Sequence, residues 1–179
     1  LFMKNWEELD EHGVCQASKE YDDVIAVCEK LDIPYYSVDF IKEYRDQVFT
    51  HFIEEYKLGY TPNPDVLCNR EIKFKVFYEK ALELGADFLA TGHYCQTKIV
   101  NGKHALIKGA DPLKDQSYFL YTIKSETLKK VLFPIGDLPK TEVRKIAQKY
   151  DLATKNKKDS TGICFIGERN FKNFLSNYI

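Results

Sequence analysis

The chain has 179 residues, enough for one ordinary domain and too few for two large ones. A hydrophobic fraction of 44% with 14% aromatics supports a packed core and excludes a disordered tail, and 9 Gly and 6 Pro exclude a collagen-like or linker composition. The formal net charge of −1 argues by itself against a nucleic-acid partner.

Leu1–Lys4 reads as a short buried strand and Glu7–Lys19 as a polar loop with some helix. Val24, Val27, Cys28 and Leu31 fall at helical spacing, which predicts an amphipathic helix over Tyr21–Leu31, stopped by Pro34. Tyr35–Phe40 reads as a strand. Ile41–Leu58 reads as a long helix with Tyr44, Val48, Phe52 and Tyr56 on one stripe, ended by Gly59. The turn-rich Thr61–Asp65 leads into Val66–Arg70 and a helix to about Leu84, closed by Gly85-Ala86. Asp87–Thr91 is a further buried strand, ending at Gly92-His93. Cys95–Ile99 and Ala105–Lys108 form a hairpin around Asn101-Gly102. Short helices are predicted over Asp115–Tyr121 and Ser125–Leu132, then a turn at Phe133–Gly136. A basic helix over Thr141–Tyr150, a polar loop over Lys155–Gly162 and a helix over Asn170–Tyr178 complete the chain. Alternating strands and helices in the first half point to a parallel, doubly wound α/β sheet. The second half reads as mostly helical and basic.

The neutral total hides a gradient. Residues 1–55 carry 14 acidic and 5 basic side chains, whereas residues 140–158 carry 7 basic and 2 acidic ones. The basic stretch is either a phosphate-contacting surface or a solvated helix face. No apolar run approaches the roughly 20 residues of a membrane-spanning helix, and Leu1–Trp6 lacks the features of a signal peptide.

The five cysteines include no C-x-x-C pair, which argues against a zinc site and a disulfide scaffold and for free thiols in a reducing cytoplasm. Cys28 belongs to an apolar stripe and reads as core. Cys15 is uninterpretable, and Cys95 is open to either reading. Cys68 lies three residues after Asp65. With Asp65 as helix N-cap it would sit in the first turn, where backbone N–H groups favour a thiolate, with Arg70 and Lys73 nearby; the alternative is a small apolar residue under a helix. Cys164 sits among lysines and glycines, either as a reactive loop thiol or in an ordinary turn. Ligands of open α/β sheets bind beyond the strands' carboxyl ends, where Met3, Gly92 and His93 fall. His93 is either near that ligand or a buried, satisfied histidine. In Lys114-Asp115-Gln116, Lys114 suits a phosphate, and Asp115 or Gln116 suits a base edge, a loop brace or a helix cap. No Walker motif, G-x-G-x-x-G or other glycine-rich phosphate loop occurs in these residues.

Four segments in order, Leu1–Trp6, Thr61–Asn69, Lys114–Leu120 and Lys158–Glu168, resemble the tRNA-specific 2-thiouridylase family, and the resemblance spans the whole chain. It implies part of an ATP-pyrophosphatase domain of the adenine nucleotide alpha hydrolase-like type over residues 1–112. A mainly helical tRNA-binding domain over residues 113–179 would follow. The implied reaction is 2-thiolation of the wobble uridine of tRNA. ATP, with magnesium as counter-ion, adenylates the C2 oxygen, and a cysteine persulfide then delivers sulfur with release of AMP and pyrophosphate. The persulfide donor would be a sulfur-relay protein or a cysteine desulfurase; no membrane is involved.

The resemblance also implies roles. Met3 and Gly92 match ATP-binding positions. Asn63, Pro64 and Asp65 match the segment that meets the target base, with Asp65 as general acid/base. Cys68 matches the nucleophilic, resolving cysteine and Cys164 the persulfide carrier, and the two would pass through a transient disulfide. Lys114, Asp115 and Gln116 match a tRNA-contacting segment. The family's phosphate loop would precede Leu1 and its C-terminal barrel would follow Ile179, so the chain reads as an internal piece, inactive without the loop. The alternatives are a noncatalytic tRNA-binding fragment and another ATP-pyrophosphatase-type tRNA-modifying enzyme or amide-forming ligase.

Overall fold

The computed structural model describes residues 1–7, 15–159, 163, 165–166 and 169–179. They divide into two compact units, one of Leu1–Leu67 with Leu152–Ile179 and one of Cys68–Asp151.

In the first unit, β1 (Phe2–Lys4) pairs in parallel with β2 (Ser37–Asp39), with Met3 opposite Val38. The crossover between them is α1 (Gln16–Lys30), the connection that a parallel pair requires. α1 begins five residues before the predicted start, because Ala17, Lys19 and Glu20 are helix-compatible and extend the amphipathic segment backwards. It ends before Pro34 on a left-handed residue, Asp32 (φ +53°). The Asp32 N–H bonds the Glu29 carbonyl at 3.3 Å and the Ile33 N–H bonds the Cys28 carbonyl at 2.9 Å. Val24, Val27 and Cys28 are only half-buried and Leu31 is exposed, so Cys28 is not the core residue its stripe suggested.

α2 (Ile41–Tyr44), a π-helical turn at Arg45–Phe49 and α3 (Thr50–Lys57) form one helical run over the predicted span. Tyr44, Val48 and Phe52 from its stripe are fully buried. Gly59 (φ +82°) closes the run, with its N–H on the Tyr56 carbonyl and the Tyr60 N–H on the Glu55 carbonyl. α4 (Pro64–Leu67) follows. Near the chain's end α8 (Phe171–Leu175) starts on Asn170, whose side chain accepts from the Asn173 N–H at 3.1 Å.

The unit's core is a cluster of rings. Phe165 is completely buried, with ring centroids 5.6 Å from Trp6, 5.3 Å from Phe49, 5.1 Å from Phe52 and 5.8 Å from Phe174. Arg169 stacks its guanidinium over Phe174 at 4.8 Å and donates to the Phe165 and Ile166 carbonyls.

The second unit opens with a nine-residue π-helical segment, Cys68–Val76, continued by α5 (Phe77–Glu83). β3 (Leu89–Ala90) pairs in parallel with β6 (Val131–Leu132), with Leu89 opposite Val131. β4 (Cys95–Val100) and β5 (Lys103–Lys108) make the expected hairpin, with Asn101 (φ +50°) and Gly102 (φ +75°) both left-handed as a two-residue turn demands. α6 is Ser125–Leu128 and α7 is Lys140–Lys149.

Two expectations change here. Asp115–Tyr121 is not a full helical segment; only Ser117–Phe119 closes a 3-10 turn. Ser125–Leu132 is one helical turn followed by β6, because the β-formers Val131 and Leu132 gain more by pairing with β3 than by prolonging the helix. The core gathers Phe74, Leu89, Cys95, Leu120 and Val131. Among the described residues the strands form three two-stranded sheets, two parallel and one antiparallel, giving mixed α/β content.

The basic helix α7 is capped from a distance. Asp111 accepts from the Lys140 N–H at 2.9 Å through Oδ2 and from the Leu113 N–H at 3.0 Å through Oδ1. The Lys140 bond, with help from the Leu113 N–H and the nearby Lys114 charge, holds its carboxyl below the usual carboxylate range. The carboxylate's contribution is therefore complete above the ordinary Asp pKa and lost as pH falls through its depressed value. Asp111→Ala lowers the melting temperature by a few degrees at neutral pH. The gap between variant and wild type closes in acid, as thermal melts over a pH series will show.

Candidate nucleotide and RNA site

Met3 lies in the middle of β1, half-buried. Asn63, Pro64 and Asp65 enter α4. Asn63, not Asp65, is the residue that caps it: Asn63 Oδ1 accepts from the Asp65 N–H at 3.1 Å and the Val66 N–H at 3.2 Å. Pro64 then takes the first helical position, where its missing N–H costs nothing. This corrects the reading of Cys68. The helix starts two residues earlier than an Asp65 cap would place it, and Cys68 lies beyond the first turn. Cys68 is 4% exposed. The first-turn argument for a thiolate therefore does not apply to it. Arg70 is engaged by Glu71 at 2.6 Å, and Lys75 meets the same carboxylate at 2.8 Å. The Lys75 hydrogen bond, more than Arg70, keeps the Glu71 carboxyl below its ordinary pKa.

In the second unit the candidate residues lie on segments braced together. Gln116 grips Tyr94 at two points: its Oε1 accepts from the Tyr94 N–H, and its own N–H donates to the Tyr94 carbonyl, both at 3.0 Å. Tyr94 follows Gly92 and His93, so the Lys114–Gln116 segment is fixed against the turn after β3. Asp115 Oδ1 accepts from the Gly109 N–H at 2.8 Å and the Ser117 N–H at 3.2 Å, and Oδ2 accepts from the Ser117 hydroxyl at 2.9 Å. Burial pushes the Asp115 carboxyl up, but these donors outweigh it and hold the group below its ordinary value. Of the roles open to Asp115 and Gln116, the hydrogen bonds make them braces of the loop that presents Lys114. Asn69, beside Cys68, donates from Nδ2 to the Phe119 carbonyl at 3.4 Å.

Gly92 is exposed, and a Cβ built on it meets nothing within 4 Å. Beyond the carboxyl end of β3 the backbone thus leaves room for a nucleotide to lie close. His93 is half-buried and hydrogen-bonded, closer to the satisfied-histidine reading than to a free ligand-facing one. Its Nδ1 shares a 2.9 Å hydrogen bond with the Thr91 hydroxyl, and its ring packs against Phe74 and Phe133. Burial, helped by Lys73, lowers its pKa to about 3. Because the folded pKa lies below the unfolded one, the unfolded chain binds the extra proton. Stability is complete above about pH 6.5 and falls by a few kcal/mol as pH drops from there toward 3. His93→Asn flattens that part of the pH–stability curve, which denaturant melts at pH 7 and pH 4.5 will measure.

Cys95 is resolved in favour of the core: it is fully buried, and burial, reinforced by Asp115, pushes its thiol up to about 12. Cys15, Cys28, Cys68 and Cys95 form no disulfide. Cys164 lies outside the described residues; its neighbour Phe165 is the centre of the ring cluster.

α7 presents Lys140, Arg144, Lys145 and Lys149 on a helix without a fully buried residue. Lys140 stands over the Tyr94 ring at 5.4 Å, and Lys149 over Tyr150 at 5.5 Å. The sequence reading passed over Asn69, Asp111 and Gly136. For Asn69 a signal existed, a polar residue inside an apolar stretch beside a candidate nucleophile; for Asp111 and Gly136 the partners are remote in sequence.

Among the described residues no helix is long and apolar enough to cross a membrane, and no group of three or more His, Cys, Asp or Glu is assembled to hold a metal ion. Residues 1–168 match the family model described as tRNA methyl transferase HUP domain, in accord with the α/β content. Over its whole length the chain is 64% identical to tRNA-specific 2-thiouridylase MnmA of Protochlamydia amoebophila. It is 63% identical to the protein of that name from Listeria monocytogenes and 61% to that from Oceanobacillus iheyensis. In each case it spans 48% of the relative's length, about half.

Proposed function

The chain belongs to the tRNA methyl transferase HUP-domain family, in which its relatives are named tRNA-specific 2-thiouridylases, and on that premise we propose that it is the central part of an ATP-dependent tRNA-uridine 2-sulfurtransferase. The observation that carries the proposal is the bracing within the second unit. Gln116 clamps the Gly92–Tyr94 turn, and Asn69 ties the Cys68 turn to Phe119. A nucleotide-side turn, an RNA-side segment and a thiol are thereby held by one hydrogen-bonded framework.

In this proposal residues 1–112 are part of an ATP-pyrophosphatase domain with a doubly wound sheet, and residues 113–179 belong to a helical tRNA-binding domain. Met3 and Gly92 each serve as ATP-binding residues. When bound, ATP supplies the adenylyl group that turns the uridine C2 oxygen into a leaving group, with its magnesium carried on the phosphates. Asn63, Pro64 and Asp65 meet the target base, and Asp65 moves the proton.

The terminal sulfur of a Cys164 persulfide attacks C2, and AMP departs with the oxygen. The Cys68 thiolate attacks the Cys164 sulfur, the S–S bond of the persulfide breaks, and the outer sulfur stays on the uridine. The product is 2-thiouridine with a Cys68–Cys164 disulfide, which a two-electron thiol reductant reopens. A relay protein or desulfurase then reloads Cys164. Lys114 and the basic face of α7 contact tRNA phosphates. The reaction runs in the cytoplasm, where reduced thiols persist.

The test is to incubate the full-length protein with unmodified tRNA, ATP, magnesium and a persulfide donor. One AMP and one pyrophosphate per 2-thiouridine supports the proposal. Tight tRNA binding without ATP turnover would favour the noncatalytic alternative.

A further inference from the structure

Asn69 is the one fully buried polar residue among the described residues, at 2% exposure, and it immediately follows Cys68. Its Nδ2 donates to the Phe119 carbonyl, while its Oδ1 is buried with no hydrogen-bond partner. Turning the amide round would set Oδ1 against the Phe119 oxygen, acceptor to acceptor, so the donor side is fixed by the bond it makes. A buried amide with half its capacity unmet is no stability device, since an unsatisfied buried acceptor offsets what the donor bond contributes. A leucine of similar volume would fill the place without that cost. The amide also sits in the Cys68–Val76 π-helical segment, a rare geometry found often at functional sites. Phe119 closes the 3-10 turn that follows Lys114–Gln116.

We propose that Asn69 is a positioning residue for the Cys68 thiol, its amide N–H holding the Cys68 turn in register with the segment that meets tRNA. The inference rests on the functional reading above, in which Cys68 performs the resolving step. Asn69 acts through Cys68 and the Phe119 carbonyl and does not touch the uridine.

The test uses the full-length protein and its tRNA, with Asn69→Leu and Asn69→Asp beside Cys68→Ser. Asn69→Leu removes the donor together with the unpaired acceptor. It is expected to melt within a few degrees of wild type, keep its KM for tRNA within about twofold and lose about 10- to 100-fold in kcat. Asn69→Asp restores a donor only when its carboxyl is protonated. Its kcat per folded enzyme, relative to wild type, therefore rises as pH falls while its KM for tRNA stays within about twofold, a split that a merely structural role, which would move only the folded fraction, would not produce. Wild-type kcat in Asn69→Leu, or an Asn69→Asp rate that parallels wild type across pH, overturns the proposal. If Asn69→Leu fails to fold, the Asn69→Asp pH profile decides alone. Loss of activity in Cys68→Ser with an indifferent Asn69 sinks this inference only; activity in Cys68→Ser sinks the functional reading itself.

Discussion

Gly136→Ala is expected to unfold the second unit or to lower its melting temperature by more than about 10 °C, corresponding to at least about 3 kcal/mol. A Cβ on Gly136 would lie 1.7 Å from the Cys95 carbonyl oxygen and 2.6 Å from its carbon. The obstruction is backbone at the first residue of β4, inside the core, so no side chain can turn away to relieve it. Nor can Gly136 retreat freely, because its own carbonyl accepts from the Ala110 N–H at 2.8 Å. Gly109 closes the same stretch from another side, with a Cβ there 2.5 Å from the Tyr94 oxygen. The two glycines thus grip Tyr94-Cys95, the stretch that Gln116 also clamps. Gly92→Ala is the internal control, since its Cβ meets open space. Its melting temperature should stay within a few degrees of wild type, whatever it does to nucleotide binding. Circular-dichroism melts of the two variants make the comparison.

Cys164→Ser and Cys68→Ser are each expected to lower 2-thiouridine formation by about 10³-fold or more, while tRNA binding stays within about twofold. Serine at 164 has no sulfur to load. Serine at 68 leaves the persulfide without a partner to take up the Cys164 sulfur as the outer one departs, and a hydroxyl at neutral pH is too weak a nucleophile to replace the thiolate. The retained tRNA affinity is expected because the proposed phosphate contacts, on Lys114 and α7, lie elsewhere. Cys95→Ser provides the contrast. Its thiol is buried and pushed up to about 12, so any loss there comes with loss of stability, not with a folded, silent enzyme. Retardation of thiolated tRNA on a mercury-containing gel reads the outcome.

What the sequence made legible was whatever depends on neighbouring residues. Asn101-Gly102 announces its hairpin because a two-residue turn needs two left-handed residues. Gly59 announces a helix end for the same conformational reason, whereas Asp32 ends α1 in that conformation without a glycine to mark it. β6 was hidden because its partner β3 lies some forty residues earlier, and two β-formers after a helical turn carry no strand period of their own. The π-helical segments were hidden because one extra residue per turn barely shifts a short apolar stripe. At the site, Asn63 and Asp65 are both good caps, and composition alone does not choose between them; the choice moved Cys68 out of the first turn. Asp115 and Gln116 looked equally suited to a base or a loop, and only their partners Gly109 and Tyr94 show them bracing a loop. The neutral total charge averages an acidic front with the cations of α7, of which Lys145 and Lys149 are exposed and Lys140 and Arg144 half-buried.

In the proposed mechanism sulfur passes from Cys164, with Cys68 as the resolving thiol. The most direct test is a single turnover of the persulfide-loaded full-length protein on tRNA with ATP and no reductant, followed by alkylation and peptide mass spectrometry. The predicted result is one 2-thiouridine per enzyme and a new disulfide joining the peptides of Cys68 and Cys164. Formation of 2-thiouridine with both cysteines still open to alkylation would contradict it.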